Sequence, residues 1–230
     1  MNSSELTAVP NLSKAQQKMR TQYPIIAKEG RLIIAIALAI ALLIHYYIPA
    51  ISLLGWVLLL FVVQFFRDPI RLPAGGDKDI TSPADGRIVV VGEAIDPLLK
   101  IPALKISVFM NVFNVHSNKA PTTGTIINRE YHAGSFLNAD LDKASEMNER
   151  CGITINRADD VNVTFVQIAG LVARRILNYT TVGDTLNKGD RYGFIRFGSR
   201  VDVYLPLTAR PRVAVGDIVS NNSSILATLL

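Results

Sequence analysis

The sequence predicts a mainly β protein: a β-rich α+β domain of short strands, preceded by an N-terminal hydrophobic helical hairpin. Of its 230 residues, 49% are hydrophobic and 19% are charged, and the two longest apolar runs both lie before residue 67. After residue 73, short stretches rich in β-branched residues alternate with clusters of Gly, Pro, Asn and Asp. This spacing is typical of short strands that are joined by turns.

Residues 31–66 predict a membrane hairpin of two short helices. One apolar run covers 32–44 and another covers 51–66, with a turn at 45–49 between them. A removable signal peptide fits poorly, because the apolar region starts late and no small-residue cleavage site follows it. A single span is disfavoured by Pro49 and by the combined length, since one crossing needs about 20 residues. Each run is short for a full crossing, so the hairpin either spans the bilayer twice or enters one leaflet.

Basic residues flank both outer ends of this hairpin. Lys28 and Arg31 precede it, and Arg67 and Arg71 follow it. Positively charged flanks stay on the cytoplasmic side of a membrane. We therefore expect the polar N-terminal segment, residues 1–30, and the domain after the hairpin to be cytoplasmic, at the cell membrane.

The domain from residue 67 to 230 is expected to consist largely of short strands. The predicted strands cover 86–92, 104–115, 124–130, 161–168, 191–197 and 201–205. Residues 213–229 predict two more strands around the turn at Gly216 and Asp217. The stretch 140–150 lacks a strand pattern and is expected to be a loop or a short helix.

Cysteine and histidine usage limits the chemistry of the chain. The single cysteine, Cys151, excludes an internal disulfide and a cysteine-rich zinc site, and the three histidines show no metal-ligand spacing. We therefore expect no metal. The net charge of +5 favours anionic partners, and on charge alone both nucleic acid and an anionic membrane leaflet are open. The hydrophobic hairpin favours the leaflet, and we expect no nucleic-acid partner.

Three motifs in the β domain contain residues that could do chemistry: Asp85 before a glycine, His116 at a strand end, and Ser199 after Gly198. Each motif alone is typical of an ordinary turn or strand end. Together they supply the nucleophile, the base and the orienting carboxylate of acyl-transfer chemistry.

The sequence around Ser199 does not match the signature of a serine hydrolase. That signature is Gly-x-Ser-x-Gly at a strand-to-helix turn, whereas residues 200–204 predict a strand. A glycine before the serine suits a different reaction. It lets the backbone bend so that the hydroxyl can reach the preceding carbonyl.

In these motifs the sequence resembles the short-form phosphatidylserine decarboxylases of bacteria and archaea, and the resemblance extends from Phe65 to Leu230. Six segments carry it in chain order: Phe65–Pro69, Ser82–Gly86, Asn114–Asn118, Asn148–Arg150, Gln167–Arg175 and Arg191–Asp202. Their order, and the length of the last two, make the resemblance specific.

The resemblance implies that the precursor cuts itself between Gly198 and Ser199. Ser199 would attack the Gly198 carbonyl with His116 as base, while Asp85 would hold the imidazole in its tautomer and favour its charged form. The resulting ester would eliminate to dehydroalanine, which hydrolyses to a pyruvoyl group at Ser199. The products would be a large chain that ends at Gly198 and a small chain, residues 199–230.

The pyruvoyl group is the cofactor that the resemblance implies. It would form a Schiff base with phosphatidylserine and accept electrons as CO2 leaves, which yields phosphatidylethanolamine. Cations near the site would bind the phosphate and carboxylate of the lipid headgroup. Arg196 and Arg200 are the candidate substrate-binding residues, and Arg174 and Arg175 are further candidates. The resemblance also suggests a homodimer of cleaved protomers.

One position departs from the family pattern. Many members carry a second histidine three residues before His116, where this sequence has Phe113. The proton for decarboxylation would then come from His116 itself, from His132 or from water.

Three other functions stay open. A decarboxylase of an ether-linked archaeal serine lipid would use the same headgroup chemistry. A membrane-anchored serine hydrolase would keep Ser199 uncut. A membrane-anchored lipid-binding module would have no catalysis, and its Gly198-Ser199 pair would be only a turn.

Overall fold

The computed structural model describes residues 25–134, 147–170, 175–196 and 198–230. Two α-helices come first, α1 (Arg31–Tyr47) and α2 (Ser52–Phe65), and a 3-10 turn precedes each of them (Lys28–Gly30 and Pro49–Ile51). The break between the helices coincides with the predicted turn, because the ring of Pro49 suits the first position of a helix and not its interior.

The two helices pack on each other but leave most of their apolar surface uncovered. The helices meet at Gly55 and Ala41, where a Cβ atom on residue 55 would lie at ordinary van der Waals distance, 3.4 Å, from the Cα of Ala41. Ala41 is the buried residue of α1, and most large side chains of both helices are exposed. The segment Lys28–Tyr47 is long and apolar enough to cross a membrane, and Pro49–Phe65 is shorter.

The described residues after the hairpin form fourteen strands, which confirms the predicted mainly β architecture. They are β1 (Asp79–Thr81), β2 (Gly86–Ile95), β3 (Pro102–Met110), β4 (Ser117–Lys119), β5 (Gly124–His132), β6 (Arg150–Asn156), β7 (Asn162–Ala169), β8 (Ile176–Asn178), β9 (Thr185–Leu186), β10 (Arg191–Ile195), β11 (Ser199–Leu205), β12 (Arg210–Pro211), β13 (Ile218–Val219) and β14 (Ile225–Thr228).

The strands form three sheets. The largest has eight strands in the order β13-β2-β3-β11-β7-β6-β5-β9. Two three-stranded sheets accompany it, with the orders β1-β14-β12 and β4-β10-β8. Strand β11 lies inside the large sheet and pairs with β3 on one side and β7 on the other.

The two faces of β11 bury different kinds of side chains. Val201 and Val203 belong to the main hydrophobic core. Arg200 and Asp202 point to the opposite face of the sheet, because successive side chains of a strand alternate, and both are fully buried there. The side chain of Ser199 therefore lies on the same face as the main core.

One strand ends earlier than predicted, because asparagine side chains there accept backbone hydrogen bonds in place of a neighbouring strand. Strand β3 ends at Met110 instead of residue 115, because Asn111 and Asn114 form a local turn. The backbone N–H of Phe113 donates to Asn111 Oδ1 at 2.9 Å, and that of Asn111 donates to Asn114 Oδ1 at 2.8 Å. Such side-chain bonds compete with strand pairing.

Two other predictions near the β domain have different outcomes. The turn at Gly216 is present with a φ of 101°, but the flanking strands β12 and β13 belong to different sheets. Most of the stretch 140–150 lies outside the described residues. Strand β6 begins at Arg150, and the sequence reasoning did not identify it.

Candidate active site

Ser199 is the first residue of β11 and lies between two neighbouring strands. It pairs with Met110 at the end of β3 and with Ala169 at the end of β7. Its side chain is fully buried, and its Oγ has no hydrogen-bond partner among the described residues. A buried hydroxyl without a partner costs free energy, so this arrangement calls for a functional explanation.

Gly198 bends the backbone directly before Ser199. Its φ of 62° lies in the left-handed region, which residues with a Cβ rarely adopt. A Cβ atom at this position would meet nothing within 4 Å. The glycine is therefore required by the backbone conformation and not by lack of space. A bend of the backbone at this glycine is what the sequence predicted.

His116 follows the turn at 111–114 and is fully buried. Its Nδ1 lies 2.9 Å from the carbonyl oxygen of Asn114. A carbonyl only accepts hydrogen bonds, so Nδ1 carries the proton and Nε2 keeps its lone pair. Nε2 is buried and has no hydrogen-bond partner within the described chain. The imidazole is thus held in the tautomer of a base at Nε2.

The surroundings of His116 are mainly aromatic. The ring of Phe65, the last residue of α2, lies 4.2 Å from the imidazole between centroids, and the ring of Phe194 lies at 6.4 Å. The pKa of His116 is lowered to about 4, mainly by burial and less by Arg67, although the hydrogen bond to the Asn114 carbonyl and the charge of Asp85 raise it. Above that pH the imidazole is uncharged and able to accept a proton.

Ser199 and His116 flank the same short connection. The backbone N–H of Ile195, at the end of β10, donates to the His116 carbonyl at 3.2 Å. The chain then passes through residues 196–198 and starts β11 at Ser199. Of the predicted site residues, the fold thus brings His116 to the end of β10, four residues before Ser199 in the chain.

Asp85 lies directly before β2, and cationic and backbone donors bind its carboxylate. Arg71 donates to both carboxylate oxygens, and the backbone N–H of Asn221 donates at 2.8 Å. The orienting bond that was expected between Asp85 and His116 is made by the Asn114 carbonyl instead. Asp85 acts on the imidazole through space, since its negative charge raises the pKa of His116.

The sequence reasoning missed Arg71 and Asn221 as parts of this site. Asn221 Oδ1 accepts a hydrogen bond from Arg71 at 3.1 Å, and Asn221 Nδ2 donates to the carbonyl of Ser117 at 3.4 Å. Asn221 is fully buried and lies 136 positions after Asp85 in the chain. A tract of Ser and Asn has the composition of an ordinary loop, so no sequence signal distinguished this residue.

The two candidate substrate-binding arginines lie in different surroundings. Arg200 is fully buried on the opposite face of the sheet, where its Nε lies 2.8 Å from Asp202. Arg196 precedes the Gly198 bend and is half-buried, and its Nε has no hydrogen-bond partner among the described residues. Of the two, Arg196 is therefore the one whose guanidinium is more available to bind a substrate. Arg174 lies outside the described residues.

His132 is remote from Ser199. The register pairs Arg200 with Ile168, Ile168 with Arg150, and Arg150 with His132. Residues opposite each other in register share a face, so His132 points away from the Ser199 face. It also lies three strands from β11, which is about 14 Å at the usual strand spacing. Of the predicted proton sources, this leaves His116 and water near Ser199.

Phe113 occupies the position of the second histidine of many family members. It is 62% exposed, and its ring packs edge-on against Phe61 of α2, with centroids 6.1 Å apart. Gln64 and Arg67 donate to its carbonyl at 3.0 and 2.9 Å. The turn before His116 is thus fastened to the end of the hairpin. Within the described residues, no three His, Cys, Asp or Glu side chains cluster as metal ligands would.

Comparisons with known proteins show which family this chain resembles. The model of the phosphatidylserine decarboxylase family matches residues 58–227. The phosphatidylserine decarboxylase proenzyme of Paraburkholderia xenovorans (strain LB400) is 57% identical over 212 residues, which cover 92% of this chain and 100% of the relative. The proenzymes of Ralstonia nicotianae (strain ATCC BAA-1114 / GMI1000) and Aromatoleum aromaticum (strain DSM 19018 / LMG 30748 / EbN1) are each 56% identical, and each match covers 90% of this chain and 97% of the relative.

The fold, the site and these matches define an enzyme of the carboxy-lyase class, that is, a decarboxylase. The chain belongs to the phosphatidylserine decarboxylase family. The resemblance that was identified from the motifs is thereby confirmed.

Proposed function

We propose that this protein converts phosphatidylserine to phosphatidylethanolamine and CO2 after cutting itself between Gly198 and Ser199. Residues 1–30 form a cytoplasmic segment, 31–66 a membrane hairpin, and 67–230 the pyruvoyl-dependent decarboxylase domain. The names of the curated relatives support the substrate and the precursor state. The surroundings of Ser199 support the position of the cut.

One observation carries the proposal. The buried Oγ of Ser199 has no hydrogen-bond partner within the described residues, and it directly follows a glycine with a φ of 62°. The neighbouring base, Nε2 of His116, is likewise buried without a partner. Ser107 Oγ is also buried without a partner among the described residues, so the unpartnered oxygen alone does not mark a reacting group. What supports the proposal is the combination at Ser199 of an unpartnered hydroxyl, the glycine bend directly before it and an unpartnered imidazole nitrogen that can take its proton.

The cut follows from what these residues can do. His116 Nε2 takes the proton of Ser199 Oγ, and the oxygen attacks the Gly198 carbonyl. The imidazolium returns this proton to the Ser199 nitrogen as the C–N bond breaks, so that the peptide bond becomes an ester and the nitrogen a free amine. Removal of the Ser199 Cα proton then breaks the Cβ–O bond. Gly198 leaves as a carboxylate and residue 199 becomes dehydroalanine. One water converts the latter to a pyruvoyl group and releases ammonia.

The residues around position 199 fit such a group. The buried, unpartnered place of the Ser199 oxygen can hold a small neutral carbonyl without breaking a hydrogen bond. A pyruvoyl carbonyl supplies the electrophile for the lipid amine and the electron sink for loss of CO2. His116 then holds or delivers a proton at Nε2. Arg67, Arg71 and Arg196 supply positive charge for the lipid phosphate and carboxylate.

The hairpin supports a site that lies beside the bilayer. Gln64 and Arg67 bind the Phe113 carbonyl, so the turn that leads to His116 lies at the base of the hairpin. Basic residues on both flanks put the domain on the cytoplasmic side. The substrate therefore reaches the site from the cytoplasmic leaflet. A homodimer of cleaved protomers is proposed on the family resemblance alone.

The intact mass of the purified protein under denaturing conditions tests the cut. We expect two chains from the wild type, with the small chain starting at residue 199 and lacking a free amino terminus. Ser199→Ala should give a single chain. Ser107→Ala is the matched control, because Ser107 Oγ is also buried without a hydrogen-bond partner among the described residues. It should still be cut. An uncut wild type would remove the self-processing mechanism.

The same preparations then test the substrate. Vesicles of phosphatidylserine diluted in phosphatidylcholine should yield phosphatidylethanolamine with the wild type and Ser107→Ala, but not with Ser199→Ala. A parallel reaction with ether-linked phosphatidylserine shows which backbone linkage the enzyme accepts. Binding of vesicles without any product, by a chain that stays intact, would instead favour a lipid-binding module.

A further inference from the structure

The hairpin is joined to the β domain through its two stems, which are the residues just before α1 and just after α2. The backbone N–H of Ala27 donates to the Phe66 carbonyl at 2.8 Å, and that of Asp68 donates to the Ile25 carbonyl at 2.6 Å. Residues 26 and 67 form an antiparallel bridge between them. The stems thus form a short paired ribbon instead of two separate linkers.

Four buried charges attach this ribbon to the β domain, and we call them the stem cluster: Glu29, Asp68, Lys119 and Arg191. Arg191 lies 2.7 Å from Glu29 and 3.4 Å from Asp68, and Lys119 lies 3.3 Å from Asp68. Each of the four side chains is at most 6% exposed. Both acids come from the stems and both cations come from β4 and β10. The stem cluster is neutral only when the hairpin is docked.

Loss of docking would be costly for both parts. Without the stems, Lys119 and Arg191 would lose the carboxylates that balance them, and uncompensated buried charges strongly destabilise a fold. Ser117, next to His116, also donates to Asp68, at 2.6 Å. The docking contacts therefore reach the strand that begins beside the catalytic base.

An apolar contact completes the attachment. Phe65, Phe66 and Ala27 of the stem region form a separate buried cluster with Phe194 of β10. A Cβ atom at Gly30 would overlap the ring of Phe66, so the stem fits closely. Phe65 lies against the His116 imidazole at 4.2 Å between centroids. A residue of the hairpin thus forms one wall around the catalytic base.

We propose that the hairpin is part of the active site: Phe65 is a positioning residue that shields the His116 imidazole from water, and the stem cluster holds Phe65 in place. The inference rests on the proposed function, because it assigns His116 the part of the base. Phe65 and Phe194 present only apolar rings to the imidazole, and the charged groups that act on it are Arg67 and Asp85. Docking of the hairpin then keeps His116 uncharged and competent.

The consequence for self-cleavage is a specific pH dependence. Shielded, His116 has a pKa of about 4 and stays uncharged at pH 5.5. Opened to water, the imidazole should return toward its ordinary pKa of about 6.5, so only roughly one tenth of it would be uncharged at pH 5.5. At pH 8 both forms are uncharged. Loss of shielding should therefore slow cleavage at pH 5.5 and leave the rate at pH 8 much less affected.

The stem cluster can be tested by charge balance. Glu29→Gln and Lys119→Met each leave one uncompensated buried charge, whereas the double variant keeps only the Arg191–Asp68 pair. Each single variant should reduce the cleavage rate by some factor. We expect the double variant to be slowed by less than the product of these two factors, because removing one acid and one cation together leaves the stem cluster neutral. If the effects of the two substitutions on the cleavage rate are simply additive, charge balance in the stem cluster does not hold the hairpin in place.

Phe65 can be tested by the ratio of cleavage rates at pH 5.5 and pH 8. Full-length chains are synthesised cell-free into nanodiscs, translation is stopped, the pH is changed, and the small chain is followed with time. Phe65→Ala and Phe65→Leu are compared with Phe61→Ala, the matched control, since Phe61 is an aromatic residue one turn earlier in α2 that packs on Phe113. Each ratio is internal to one variant, so a folded fraction that is the same at both pH values cancels, and resistance of each variant to limited proteolysis at pH 5.5 and pH 8 checks that it is the same.

We expect the ratio to fall about tenfold for Phe65→Ala, less for Phe65→Leu, and not for Phe61→Ala. A wild type that cleaves, together with Phe65 variants that keep the wild-type ratio, would overturn this inference and leave the proposed function standing. A wild type that stays intact at both pH values would overturn the proposed function and the inference with it.

Discussion

At the scale of single residues, a backbone carbonyl fixes the tautomer of His116, the proposed base. The Asn114 carbonyl accepts the Nδ1 proton of His116, and Asp85 is engaged by Arg71 and Asn221. This division differs from a triad in which the carboxylate binds the imidazole directly. Here the carboxylate contributes its charge at a distance, and the turn before His116 contributes the orientation.

Gly198→Ala tests the backbone bend at the cut. An alanine at a φ of 62° is strained by about 1–2 kcal/mol, so the backbone should relax and move the Gly198 carbonyl away from the serine oxygen. We expect cleavage to slow roughly tenfold, measured as the half-time of small-chain formation. Gly92→Ala is the control, since Gly92 also has open space around it but no positive φ. An unchanged rate in Gly198→Ala would show that the bend is dispensable.

The candidate residues of the site were readable from the sequence, and the residues that surround them were not. Ser199, His116 and Asp85 stand out because serine after glycine, a scarce histidine and a loop aspartate have few other uses together. From the sequence, Phe65 was expected to belong to the membrane hairpin, and Asn221 to an ordinary loop. Their contacts with the site join positions 51 and 136 apart in the chain, and only the fold reveals such pairs.

At the scale of elements, the central place of β11 determines the fate of the small chain. Residues 199–205 pair with β3 along their whole length, and residues 199–204 pair with β7. Further along, β13 pairs with β2, and β14 pairs with β1. After the proposed cut, the small chain would therefore remain paired inside a sheet and would not become a loose end.

We therefore expect the cleaved chains to stay together without a covalent bond. They should elute as one species in size-exclusion chromatography in mild detergent and separate only in a denaturant. The reason is that release of the small chain would break two strand ladders and expose a fully buried strand. Recovery of the large chain alone from a native column would show that the pairing of β11 does not survive the cut.

Elements with strong local patterns were predictable, and elements defined by their neighbours were not. The hairpin and strands β2, β5, β7, β10 and β11 follow apolar runs or β-branched stretches. Strand β6 includes Gly152 and Asn156, which are weak strand formers, and it is a strand because β5 and β7 pair with it on both sides. Strand β3 ends early because of the turn at Asn111. Hydrogen bonds made by asparagine side chains form this turn, and a pattern of hydrophobicity does not reveal such bonds.

At the scale of the whole molecule, the buried imidazole links stability to pH. The pKa of His116 is about 4 in the folded protein and about 6.5 in an unfolded chain, so the unfolded state binds more protons between these values. The stabilising effect of the neutral histidine is complete above pH 6.5 and is lost as the pH falls toward 4. Acid should therefore destabilise the fold through this one group.

Thermal unfolding in detergent at pH 7.5 and pH 5 tests this linkage. In an uncut Ser199→Ala background, His116 should cost about 2 kcal/mol of unfolding free energy at pH 5 relative to pH 7.5. Adding His116→Gln, which cannot take up a proton, should remove that part of the pH dependence. If both variants lose the same stability on acidification, the buried histidine is not the group that responds.

The complete burial of Ser199 also bears on the chain ends that the cut creates. Simple hydrolysis of the Gly198–Ser199 bond would leave a charged α-ammonium group at a position with zero exposure, and such a group is expensive to bury without a partner. The proposed route releases that nitrogen as ammonia and leaves an uncharged terminus. The new carboxylate falls on Gly198, which is partly exposed and two residues from the Arg196 guanidinium. The interior of the sheet can therefore accept the break without acquiring a charge.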